Sequence, residues 1–367
     1  MTPQLEVQLI AVIIAAACAL PGVFLVLRRM AMLSDAISHT VLLGIVLAYF
    51  ISDSLSSPLL FVGAVAMGVL TVWLVELISG SQLVREDAAI GLVFPALFSI
   101  AVLLISRYAG NIHLDTDSVL LGELAFAPFD RIDLFGISLP RALIFGSGVL
   151  LVNASLLMLF YKELKLVTFD PALAATLGFT PTIIHYGLMT SVSLTAVTAF
   201  DAVGSILVIA LMIAPPATAY LLTDRLPRMV GLSVAIGVLA AISGYWLARL
   251  FDVSIAGAMA TMTGIGFGIA WLFAPQRGIV AQTWQHRRRR ERFAVQMLVL
   301  HLLNHEGTGE AGVECHSQHL IEELRWQPTF AGAVVRRAIQ SGLVQQLDGV
   351  LYLTEQGRAL AREASIG

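Results

Sequence analysis

Arg28-Arg29-Met30-Ala31-Met32-Leu33-Ser34-Asp35-Ala36-Ile37-Ser38-His39 joins two apolar windows, 6–27 and 33–52. Each window is about the 20 residues that a helix needs to cross a bilayer. The basic pair sits in the join, and an acid and an imidazole lie on the first turns of the second window. At a spacing of four, Asp35 and His39 share a helix face, about 40° apart around the axis. A carboxylate oxygen with an imidazole nitrogen is a partial ligand set for a borderline divalent metal. Ionisable groups inside membrane segments are rare and usually mark a pathway. The plainer alternative is a polar pair that hydrogen-bonds two helices near the inner interface. Two ligands cannot complete a shell of about four to six. A metal site built on this pair therefore needs a second copy, another chain or water.

The same kind of window recurs along the chain. Spans are predicted near 6–27, 33–52, 57–79, 88–107, 140–161, 182–200, 203–222, 229–250 and 254–274, about nine in all. The sixth and seventh are separated only by a break around Phe200-Asp201-Ala202. The 367 residues are 57% hydrophobic and 13% charged, where a soluble domain carries about a quarter charged residues. This excludes an ordinary soluble enzyme. Cys18 falls in an apolar segment and Cys315 in a polar tail, so the two are not expected to pair. No basic n-region or small-residue cleavage site precedes the first span, which is expected to persist in the mature protein.

Basic residues in short loops set the orientation. With the N-terminus outside, the inner loops hold Arg28, Arg29, Arg85, Lys162, Lys165, Arg225 and Arg228, and Arg277 and the run Arg287–Arg290 follow the last span. The outer side has Arg107, Arg131, Arg141 and Arg249. This places the C-terminus in the cytoplasm. Pro21-Gly22, Pro95 and Pro215-Pro216 interrupt spans, and the backbone groups they free must be met by neighbouring protein or a wet cavity. Glu76 and His185 lie close enough to inner span ends to snorkel to the interface, and neither is expected to be a ligand.

Between the fifth and sixth spans runs Tyr161–Pro181. Asp170 can cap a short helix with Pro171 at its first position, and Gly178 can end it. This exposed helix suits a docking knob for a soluble partner; the alternative is a helix lying on lipid. Beyond Pro275 the composition turns polar. Residues 276–290 read as a basic juxtamembrane linker that suits anionic lipid heads. Residues 291–367 read as helices over 293–304, 317–325 and 330–341, a hairpin over 343–353 turning at Asp348-Gly349, and a helix over 354–363. That order is a winged helix. From His286 onward ten arginines face nine acids, and only Arg336-Arg337 mark the third helix, so no basic DNA-reading face is expected. Cys315-His316 and His319 are too loosely spaced for a metal site.

Several blocks together carry a family resemblance. Arg28–Gly44, Glu86–Phe94, His113–Glu123 with Leu124, Tyr161–Gly178 and Val203–Ala219 resemble, in order over about residues 5–275, the permease subunit of metal-ion ABC importers, the family that takes up manganese, zinc and iron(II). Leu43 departs from the family's usual proline, which implies a straighter helix after His39. The resemblance implies an all-α polytopic bundle of the type II ABC importer kind, paired with a second permease chain around a central path, in the bacterial inner membrane. Asp35 and His39 would be the metal positions near the dimer axis. Lys165, Phe169, Asp170, Pro171, Ala174 and Gly178 would belong to the coupling helix that seats in a cytoplasmic ATPase subunit. The block with His113, Asp115, Asp117 and Glu123 is typical of the manganese/iron branch. It would steer cations or dock an extracytoplasmic metal-binding protein, a solvated loop being the alternative.

The tail resembles the winged-helix domain of diphtheria-toxin-repressor-type regulators, chiefly at Leu353–Ala361. No phosphate-binding Gly-x-x-x-x-Gly-Lys-(Ser/Thr) motif is present. Hydrolysis of ATP is therefore expected on a separate subunit, the chain itself being no enzyme and holding no permanent cofactor, only a transported divalent metal. Two rival functions stay open on the residues: a membrane-tethered, metal-responsive DNA-binding regulator, and a gradient-driven metal transporter.

Overall fold

The computed structural model describes residues 2–54, 57–108, 124–134, 137–307, 315, 316, 324 and 326–366. It divides into two compact units, 1–278 and 279–367.

The first unit is a helical bundle. Its elements are α1 (Pro3–Leu27), α2 (Ala31–Ser52), α3 (Pro58–Ser79), α4 (Glu86–Tyr108), a hairpin of β1 (Arg131–Leu134) and β2 (Ile137–Pro140), α5 (Arg141–Leu159), α6 (Tyr161–Phe169), α7 (Pro171–Thr176), α8 (Pro181–Val203), α9 (Ser205–Leu222), α10 (Leu226–Phe251) and α11 (Ile255–Phe273). Among the described residues nine helices, all but α6 and α7, are long and apolar enough to span a membrane. Proline at the first turn starts α1, α3, α7, α8 and α10, where its missing N–H costs nothing. The break between α8 and α9 falls at Gly204, whose φ of +77° suits glycine. That is slightly later than the Phe200–Ala202 break expected from hydropathy.

α1 is the central helix, packed by α5, α8, α9 and α10. Its residues Ile10, Ile14, Cys18, Val23 and Leu25 are fully or almost fully buried. Cys18 and Cys315 are both free thiols. Pro216 cannot donate to the Met212 carbonyl one turn back, and α1 covers that carbonyl at Gly22, where a side chain would collide with it. α2 runs without interruption through Leu43 and packs along α3. Gly44 and Gly63 meet there backbone to backbone, and Thr71 donates to Thr40 at 2.7 Å. Buried Asn153 on α5 is fully engaged. It donates to Ala17 O (3.0 Å) and Thr195 Oγ1 (2.8 Å) and accepts from Ser191 (2.7 Å), tying α1, α5 and α8 together. The β1–β2 hairpin, paired from Arg131↔Pro140 to Leu134↔Ile137, has no counterpart in the sequence reading.

The second unit holds α12 (Ile279–His305), α13 (Pro328–Gln340), β3 (Val344–Leu347), β4 (Val350–Leu353) and α14 (Glu355–Ile366). Residues 279–290, expected as a linker, are helical turns of α12. Two of the basic side chains lie over rings of this unit, Arg288 over Trp284 (5.5 Å) and Arg290 over Phe330 (4.5 Å), and Arg337 pairs with Glu291. Asp348 and Gly349, with φ of +51° and +83°, make the tight hairpin turn. Thr354 caps α14 by accepting from Gly357 N at 3.1 Å. Leu298, Val299, Leu302, Val334, Ala338, Val344, Leu351 and Ala361 form a core of the unit's own. Except for Leu324, the segment expected as a helix over 317–325 lies outside the described residues.

Candidate metal pair and partner-facing helix

α2 presents Asp35 and His39, with the exposed Met32, on the open face of an otherwise buried stretch. Ala36, Ile37 and Ser38 between them are at most 2% exposed, while the Asp35 and His39 side chains are 39% and 23% exposed. His39 Nε2 lies 3.4 Å from Asp35 Oδ1. Two donors at that separation can share one ion. With metal–ligand bonds of about 2.1–2.2 Å, they subtend about 105° at the metal, near a tetrahedral angle. The His39 ring is held from the side by two rings on α4, Phe94 (5.1 Å, tilted) and Phe98 (5.9 Å, edge-on). Sequence reasoning assigned neither aromatic a role. Their i, i+4 spacing was visible, but that spacing also describes any lipid-facing or core stripe. Among the described residues no group of three or more His, Cys, Asp or Glu converges, and Asp35 and His39 stand as a pair.

The chain between α5 and α8 builds a projecting knob. The Asp170 carboxylate accepts from Leu173 N at 2.9 Å and caps α7, with Pro171 at its first position. Gly178 at φ +87° turns the chain out of the helix. Phe169, Leu173 and Leu177, each four residues apart, are 61%, 46% and 61% exposed. Lys165 is exposed beside them. Ala174, grouped with the partner-facing residues by sequence, is 0% exposed, so it packs α7 onto the bundle. His113, Asp115, Asp117 and Glu123 lie outside the described residues.

Glu76 and His185, expected to snorkel, are instead joined to each other. His185 Nε2 stands 2.6 Å from Glu76 Oε1, and Tyr186 OH donates to Glu76 Oε2 at 2.5 Å. Arg28, in the α1–α2 join, closes the group with its guanidinium. Burial lowers the Arg28 pKa from its ordinary value.

Residues 4–274 match the ABC 3 transport family. The zinc transport system membrane protein TroD of Treponema pallidum is 52% identical over 358 residues, 98% of each chain. That alignment therefore runs into the second unit. The manganese transport system membrane protein MntD of Bacillus subtilis is 49% identical over 272 residues, covering 74% of this chain and 92% of that one. Among solved structures, PsaBC from Streptococcus pneumoniae in complex with Fab superposes with a TM-score of 0.64 at 28% identity, over 76% of this chain and 94% of the matched chain.

Proposed function

The chain belongs to the ABC 3 transport family, and we propose that it is the membrane-spanning permease subunit of an ATP-driven importer of a divalent transition metal, manganese ahead of zinc or iron(II). The names of the relatives support the metal class: TroD is a zinc and MntD a manganese transport protein. The observation that carries the reading is the Asp35–His39 pair, whose donor atoms converge at 3.4 Å on a half-open face of an otherwise buried helix segment. A second permease chain brings the same pair to a shared site and raises two ligands to four, which suits a borderline metal. The α7 knob, with its apolar stripe, docks in a cleft of the cytoplasmic ATPase subunit. An extracytoplasmic metal-binding protein delivers the ion.

The test is uptake of manganese and of zinc by the assembled complex in liposomes, driven by ATP. Asp35→Ala and His39→Ala each abolish uptake and leave assembly with the ATPase intact. Near-normal accumulation in either variant defeats the ligand role, and uptake without a nucleotide-binding subunit restores the gradient-driven alternative.

The second unit acts through protein contact rather than DNA. On α13, Arg337 is engaged by Glu291, which leaves Arg336 as the exposed arginine of that helix, too little charge for a phosphate-binding stripe. Tight, sequence-specific binding of the purified full chain to duplex DNA at physiological salt would overturn that reading.

A further inference from the structure

We propose that Arg28 is a positioning residue that clamps both approaches to the α7 knob and ties them to the helix bearing the metal pair. This rests on the functional reading of α7 and of Asp35–His39. The clamp is built from one guanidinium. Arg28 Nε donates to Thr168 Oγ1 at 3.2 Å, and Nη1 lies 3.2 Å from His185 Nδ1. Thr168 is two residues before the Asp170 cap, and His185 is seven residues beyond Gly178. The same side chain therefore holds the chain entering α7 and the chain leaving it.

The other end of Arg28 is rigid. It caps α1, Arg29 takes φ +63°, and α2 begins at Ala31. Met30 N donates back to Leu25 O at 2.9 Å and Arg29 N to Val26 O at 3.1 Å, which locks the turn. Asp35 follows one turn into α2. A displacement of the knob that pulls on Arg28 thus reaches the metal helix through a short, fixed connection rather than through a flexible loop.

The bonding pattern has one consistent direction. The guanidinium has donors only, so His185 Nδ1 must accept, and the ring proton then sits on Nε2, which lies 2.6 Å from Glu76 Oε1. Tyr186 donates to the other Glu76 oxygen. Glu76 lies on α3, which packs along α2, so the network returns to the metal helix by a second route. Such a clamp needs the planar fork of arginine. Lysine keeps the charge but cannot hold Thr168 and His185 in fixed directions at once.

The experiment compares wild type with Arg28→Lys, Arg28→Gln and Thr168→Val in the complete complex in liposomes, measuring metal uptake and ATP hydrolysis on the same samples. The expected result is ATP hydrolysis within about twofold of wild type, with metal imported per ATP reduced at least tenfold in Arg28→Gln and severalfold in the other two. Metal bound per complex is expected to stay unchanged in all three. A merely structural role would lower both rates together and leave their ratio alone. An unchanged ratio in Arg28→Lys and Thr168→Val, in a complex whose wild type imports metal, overturns the clamp alone, even where Arg28→Gln fails to assemble. A wild-type complex that imports no metal overturns the functional reading, and the clamp with it.

Discussion

Arg131, on the first strand of the hairpin, reaches across to Glu6 at the start of α1: Nη1 lies 3.0 Å from Oε2 and Nη2 3.4 Å from Oε1. The Glu6 side chain is 4% exposed, Arg131 38%. Arg131 also donates to Ser138 O at 2.7 Å, so it fastens the hairpin to itself and to the central helix. Removing the arginine strands a buried carboxylate. Arg131→Ala is expected to cost about 2–3 kcal/mol, below the full penalty for breaking a buried pair because water reaches one partner. Glu6→Gln/Arg131→Met together should cost less than Arg131→Ala. Thermal unfolding in detergent measures both, and equal stability of Arg131→Ala and wild type would remove the pair from the account of the fold.

The knob separates a capping effect from a packing effect. Asp170→Ala removes the acceptor for Leu173 N and is expected to weaken α7 by about 1 kcal/mol, lowering ATPase affinity modestly. Ala174→Glu puts a charge where the side chain is 0% exposed and should abolish assembly. Cysteine at Leu173 or Leu177 should cross-link to the ATPase subunit, and cysteine at Ala174 should not. Cross-linking from Ala174 alone would mean that α7 docks by the opposite face.

In the second unit, hydrogen bonds from Arg358 hold the Glu306 carboxyl below its ordinary range, with Nη2 2.7 Å from Oε1. A depressed folded pKa stabilises the folded state above the ordinary glutamate value, about 4.3. That stability is lost as pH falls through the lower, folded value. Hydrogen exchange in α12 and α14 of the full chain should rise over that acid window. In Arg358→Ala the same change should be smaller and shifted up towards the ordinary value. An identical acid response in the variant would assign the pH dependence to other carboxylates.

Much of this molecule is written in short-range chemistry. Hydropathy over about 20 residues sets the spans, since a bilayer exchanges with each segment independently. Asp170-Pro171 with Gly178, Asp348-Gly349 and Thr354 announce their helix start, turn and cap because those conformations are satisfied within a few residues. Asp35 and His39 could be paired from spacing alone, since one helix carries both. By charge density 279–290 resembles a linker; the structure makes it helix, with Arg288 over Trp284 and Arg290 over Phe330.

What only the tertiary structure decided are the contacts made across the chain. Arg28 meets Thr168 and His185 at separations of 140 and 157 residues, and Arg131 meets Glu6 at 125. His39 gains its aromatic wall from α4, and Ala174 is turned inward while Leu173 beside it faces out. No local preference encodes these outcomes. A helix's propensity and hydropathy are nearly unchanged by rotation about its own axis, so the face each helix shows its neighbours is settled only when the whole bundle packs.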